Sequence, residues 1–106
     1  MAMLAELKHQ WLAALRSGRY KQARQALYRP DEKAYCCLGV LCKVAGLKIH
    51  TENDRVQGAK PGEDYEPLTR VLGLPKNMRI SLASKNDNGS TFEEIARIIS
   101  KNLHTV

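Results

Sequence analysis

The sequence predicts a mainly α fold of the α+β kind: a small helical domain over residues 1–106 with a buried central helix and a possible short β-hairpin. Three observations predict it. Apolar residues recur at helical spacing near both ends of the chain, Tyr35–Gly46 carries one charge in twelve residues, and turn formers punctuate the stretches between. A chain of 106 residues, 43% apolar and 26% charged, has the size of one domain and leaves no room for a two-domain enzyme.

From Met3 to Leu15 the residues Leu4, Leu7, Trp11, Ala14 and Leu15 mark one helical face, with Glu6, Lys8, Gln10 and Arg16 on the other. Ser17-Gly18 then offers a stop, because glycine takes the left-handed conformation that ends helices. Between Arg19 and Tyr35 helix and hairpin both remain open, since Tyr20, Ala23, Ala26 and Leu27 can also mark a helical face. Pro30 disfavours helix at Arg29, and Tyr28 and Tyr35 lie symmetrically about the turn as facing strand residues do. The balance leans towards a hairpin of about Arg24–Tyr28 and Lys33–Cys36.

Tyr35–Gly46 is apolar nearly all round as a helix, so it must be the buried centre. Gly39 costs roughly 1 kcal/mol there relative to alanine, a cost that close backbone packing offsets, and Gly46 supplies the stop. Leu47–Glu66 holds Asn53, Asp54, Gly58, Pro61, Gly62, Glu63 and Asp64, which marks an irregular excursion with at most a short strand at Leu47–Ile49. Loops of this length often carry function. A short helix, Pro67–Leu72, is closed by Gly73 and Pro75. A helical piece around Ile80–Ser84 runs into a tight turn at Asn86–Gly89. Ser90 and Glu93 then read as a capping box for a last helix that ends near Leu103, with Phe92, Ile95, Ala96, Ile99 and Leu103 on one face.

Recognisable reaction chemistry is sparse. Cys36, Cys37 and Cys42 are an odd number within seven residues, so no disulfide framework is available and buried structural thiols are expected. Only Cys37 and Cys42 are spaced as metal ligands, and His9, His50 and His104 fall on separate elements; neither zinc nor another cofactor is expected. A nucleophilic cysteine needs a polar setting that lowers its pKa, and these three sit in an apolar run with His50 as the only nearby partner. Glu63-Asp64 and Glu93-Glu94 identify no acid–base pair, and Gly58–Gly62 lacks the spacing of a phosphate loop. The segment Asn86–Ala96 superficially resembles the start of a helix-turn-helix, but no recognition helix follows it. The expectation is a protein without catalytic activity.

Charge is more informative. Seventeen Lys plus Arg against eleven Asp plus Glu leave +6, which favours anionic partners and opposes mimicry of DNA. The excess is concentrated at the front, where Met1–Tyr35 holds seven basic and three acidic residues. Arg16, Arg19, Lys21, Arg24 and Arg29 are interleaved with Tyr20, Tyr28 and Tyr35. Guanidinium groups pair with phosphate and tyrosine rings stack on bases, so these eight residues are the candidate ligand-binding set. A merely solvated basic surface is the commoner outcome for such a pattern. The distinguishing requirement is that the cations converge on a shared concavity. With no run of about eighteen apolar residues, the chain is expected to be soluble and intracellular, without a membrane partner.

Trp11–Gln22, Tyr35–Cys42 and Asn86–Ala96 together resemble a family of small accessory proteins encoded by tailed bacteriophages and prophages. The Tyr-Cys-Cys-Leu-Gly-Val-Leu-Cys block is the most specific part of that resemblance, and Leu47–Leu74 the least. It implies a product acting in the bacterial host cytoplasm. Small accessory phage proteins commonly neutralise host defences, either by binding a defence protein or by sequestering its nucleotide signal. The basic, tyrosine-bearing front favours sequestration of a phosphate-bearing ligand, such as a nucleotide immune signal, by a homo-oligomer. Inhibition of a host defence complex through Leu47–Glu66 and an exposed Tyr65, or non-specific nucleic-acid binding, are the alternatives.

Overall fold

The computed structural model describes residues 2–106. In chain order its elements are α1 (Ala5–Arg16), β1 (Lys21–Gln22), β2 (Tyr28–Arg29), β3 (Ala34–Tyr35), α2 (Cys37–Ala45), β4 (Ile49–His50), β5 (Arg55–Val56), α3 (Pro67–Arg70), α4 (Lys76–Asp87) and α5 (Phe92–Asn102). The fold is mainly helical with short strands, as the periodicity predicts.

The central helix follows from its composition. Cys37, Leu38, Gly39, Val40, Leu41 and Cys42 are all buried, and α2 packs against both α1 and α4. Its first turn is capped by Cys36, whose Sγ accepts from the Gly39 amide, and Gly46 ends it at φ 77°. Helix α1 buries Trp11 and Leu15 and stops before Gly18, which has φ 76°. The Trp11 indole Nε1 donates to the Cys37 carbonyl at 2.9 Å, so this fully buried aromatic also has its polar atom satisfied. Leu4, on the expected apolar face, is instead 65% exposed, because it precedes the helix. Helix α5 turns Phe92, Ile95, Ala96 and Ile99 inward against α1 and α4, and Leu103 follows them into the core.

The front segment is a hairpin, which settles the choice against a helix. β2 and β3 are antiparallel, with Tyr28 opposite Tyr35 and Arg29 opposite Ala34. The first strand starts at Tyr28 rather than Arg24, because Gln25 adopts φ 64° and its amide donates to the Asp87 carboxylate at 2.7 Å. A third strand, β1, pairs in parallel with β3 and completes the sheet order β1-β3-β2, a long-range pairing with no local signal.

Two further elements depart from expectation. The excursion after α2 contains a hairpin, with Ile49 opposite Val56 and His50 opposite Arg55, so the expected strand at Leu47–Ile49 is shifted and gains a partner. Helix α4 spans twelve residues and absorbs Asn86 and Asp87, which the sequence assigns to a turn. The reason is tertiary: Asn86 is fully buried, where its amide side chain bonds to Gln22 and Ala23 at the first strand and to Cys37 at the start of α2. The helix ends at Asp87, with Asn88 as its cap and Gly89 at φ 105° beyond it. The capping box of α5 is accordingly displaced by one residue from Ser90 and Glu93. Thr91 Oγ1 accepts from the Glu94 amide at 3.1 Å, and Glu94 accepts from the Thr91 amide at 2.9 Å. No helix among the described residues is long and apolar enough to cross a membrane.

Candidate functional site

The eight candidate residues are distributed by the strands and by the turn after α1. Tyr20, Tyr35 and Tyr28 form a row. Tyr20 meets Tyr35 edge-on, with centroids 5.4 Å apart at 87°, and Tyr28 lies tilted against Tyr35 at 4.5 Å and 34°. The second contact follows from register, because directly opposed residues of an antiparallel pair bring their side chains together. The phenol of Tyr35 is held above its usual pKa, chiefly by burial and then by its tyrosine neighbours.

The cations do not gather around that row as one cluster. Arg16 is exposed and lies 3.6 Å from the Glu93 carboxylate. Arg19 lines a hollow of about 550 Å³ with Tyr20, Gln10 and Val44, and Lys21 is exposed on β1. Arg24 and Arg29 share another hollow, of about 420 Å³, with Gln22, Gln25 and Glu32. There the Arg29 Nε and Nη2 donate to the Arg24 carbonyl at 3.1 and 2.9 Å, so part of its guanidinium fork is already committed. Of the front cations, the described hollows therefore bring together only Arg24 and Arg29.

A third hollow has the composition that the sequence suggested for the front, from different cations. Tyr28 and Tyr35 line a space of about 360 Å³ with Lys43, Gly46, Leu47, Lys48, Ile49 and Thr51. Its lining holds two lysines, two tyrosines and a threonine, and no acidic residue. The sheet contributes the rings, the last turn of α2 contributes Lys43, and the chain leaving Gly46 contributes the rest. Lys43 and Lys48 are absent from the sequence-derived set because they sit outside the basic front. Their proximity to Tyr28 and Tyr35 arises only when α2 folds back beside the sheet. The one available signal was their isolation, since Lys43 is the sole charge in the buried run.

The thiols and the excursion hold different chemistry. Cys36, Cys37 and Cys42 are free and buried. Burial, the dominant cause in each case, pushes Cys36 up to about 11 and Cys42 to about 12 and raises Cys37 as well, so none is poised as a thiolate. Among the described residues no group of three His, Cys, Asp or Glu side chains is arranged to hold a metal. Tyr65, read from sequence as exposed, is half-buried and donates its hydroxyl to Asp54, whose other oxygen accepts from the Leu27 amide at 2.7 Å. Burial and that bond raise the Tyr65 phenol.

A family model described as a domain of unknown function, DUF8296, matches residues 3–75, and the chain belongs to that family. The matched segment includes the tyrosine row and both lysines of the third hollow. No curated protein and no solved structure matches the chain.

Proposed function

We propose that this member of a family without an assigned function is a non-catalytic binder of a phosphate-bearing ligand, held at the hollow lined by Tyr28, Tyr35, Lys43 and Lys48. The observation that carries this reading is the pairing of two lysines with two tyrosine rings in a space free of carboxylates. A base stacks on an aromatic ring regardless of its sequence identity, and ammonium groups balance phosphate charge. Burial of all three thiols supports binding without covalent chemistry. The net charge of +6 adds a long-range attraction for anions. Arg24 and Arg29 form a secondary basic edge rather than the centre.

The resemblance to tailed-phage accessory proteins sets this chemistry in a biological role: sequestration of a nucleotide signal from a host defence receptor in the bacterial cytoplasm, by a homo-oligomer. Calorimetry at low salt with a panel of nucleotides, inorganic phosphate and short single-stranded oligonucleotides tests the binding. Affinity for nucleotides that falls in Lys43→Ala and Lys48→Ala supports it. Absence of heat with every ligand at micromolar protein overturns it.

A second reading, inhibition of a host protein, draws on a different surface. Asp54, Glu63, Tyr65, Arg79 and Ile80 line a hollow of about 380 Å³, and Ile80 is 55% exposed. A stoichiometric host partner retained at high salt favours this reading, since screening weakens a phosphate-driven contact.

A further inference from the structure

We infer that the hollow between Tyr28, Tyr35, Lys43 and Lys48 takes a nucleotide of one base and one phosphate, and discriminates against polyphosphates. This rests on the proposed binding of a phosphate-bearing ligand there and names its class.

Aromatic surface is the first constraint. Tyr35 has a ring neighbour on two sides, Tyr20 edge-on and Tyr28 tilted, whereas Tyr28 has one. Tyr28, the lining ring with the single ring neighbour, is the platform this inference assigns to one base. A dinucleotide would need a second platform, and the remaining lining is the aliphatic Leu47 and Ile49 with Gly46 and Thr51.

Charge is the second. A phosphate monoester carries about −1.5 to −2 at neutral pH, which Lys43 and Lys48 together balance. A second or third phosphate finds no further cation in the lining. Arg24 and Arg29 line a separate hollow, and Arg29 is tied to a backbone carbonyl. Volume agrees: about 360 Å³ lies near the small end of the roughly 300–1,000 Å³ range of ligand sites. Thr51 supplies a hydroxyl for the sugar.

The test is calorimetry at 0.15 M salt, where the Debye length of about 8 Å suppresses the general attraction of a basic protein for polyanions. The probes are the four ribonucleoside 5′-monophosphates, their triphosphates, the free nucleosides and ribose 5-phosphate. The expected result is that at least one monophosphate binds at least about tenfold more tightly than its nucleoside and than ribose 5-phosphate, with its triphosphate no tighter. Tyr28→Ala is expected to weaken that monophosphate by about tenfold, and Lys48→Ala by a similar factor, with thermal melting confirming that both variants fold. A triphosphate bound tenfold more tightly than its monophosphate overturns the one-phosphate limit and leaves the broader binding proposal standing. A monophosphate no better than ribose 5-phosphate overturns the base-stacking role. No binding by any probe here, with binding retained in the low-salt panel, overturns this inference alone; silence in both overturns the binding proposal as well.

Discussion

Gly39 in α2 lies so close to the backbone of Leu27 that a Cβ on it would sit 2.8 Å from the Leu27 carbonyl carbon, and nearer still to the oxygen. The same Leu27 carbonyl accepts from the Cys36 amide at 3.1 Å, and the Leu27 amide donates to Asp54 at 2.7 Å. The central helix, the residue before β2 and the β4–β5 turn are thus joined at one peptide-wide contact. Replacing Gly39 by alanine is expected to cost about 3 kcal/mol or more, because helix propensity would gain only about 1 while backbone must move. Urea denaturation measures this; a variant as stable as the parent would show that the contact relaxes freely.

Asn86 is the polar counterpart of that contact. Its Oδ1 accepts from the Cys37 amide at 3.2 Å and from the Gln22 side chain at 2.9 Å, and its Nδ2 donates to the Ala23 carbonyl at 2.7 Å. It therefore satisfies a buried amide at the start of α2, one with no partner inside the helix, from a distance of 49 residues along the chain. Asn86→Ala should lose about 3 kcal/mol, since the Cys37 amide and the Ala23 carbonyl would both be left buried and unpaired. Asn86→Asp exchanges the donor for a second acceptor facing Ala23. Its deficit relative to the parent is expected to be larger at pH 7 than at pH 4, where a protonated acid can donate again. Equal deficits at both pH values would contradict the assigned orientation.

The three thiols should be silent in the native protein. At pH 8 the expected result with a thiol-specific chromogenic reagent is less than one equivalent reacting without denaturant and three after unfolding. The sign of the pH effect follows from the raised values. Above about pH 9 the unfolded chain releases thiol protons that the folded chain retains up to about 11 at Cys36 and about 12 at Cys42. Stability contributed by this difference is complete below pH 9 and declines as pH rises through that window. Rapid modification of a native thiol at pH 8 would place at least one of them outside the core.

The capping box offers a comparison of neighbours. Thr91→Ala should destabilise by about 1 kcal/mol, because Thr91 bonds the Glu94 amide. Ser90→Ala should change stability by less than about 0.5 kcal/mol, since the contact of Ser90 is through its carbonyl to Gln22. Thermal melts of the two variants decide it: a larger loss at Ser90 would restore the register suggested by the sequence.

That one-residue displacement illustrates what was legible. The periodic stripes of α1 and α5, the α2 helix apolar but for Lys43 and the stops at Gly18 and Gly46 depend on residues close in the chain, and all of them stand in the structure. The Tyr28–Tyr35 pairing was legible too, because its turn lies between the two residues. By contrast, β1 exists only through its parallel pairing with β3, which no turn between adjacent strands announces. The length of α4 was hidden for a similar reason: Asn86 has poor intrinsic helix preference, and burial against distant backbone outweighs it.

By itself, then, the sequence determined which segments must be helical, which one must be central, and that the molecule is cationic with its excess near the front. Only the tertiary structure decided which cations stand beside which rings. It separated Arg16, Arg19 and Lys21 from the Tyr28–Tyr35 hollow and put Lys43 and Lys48 there instead. Helical periodicity is a local property carried by residues one turn apart, whereas the composition of a hollow depends on where separate elements come to rest.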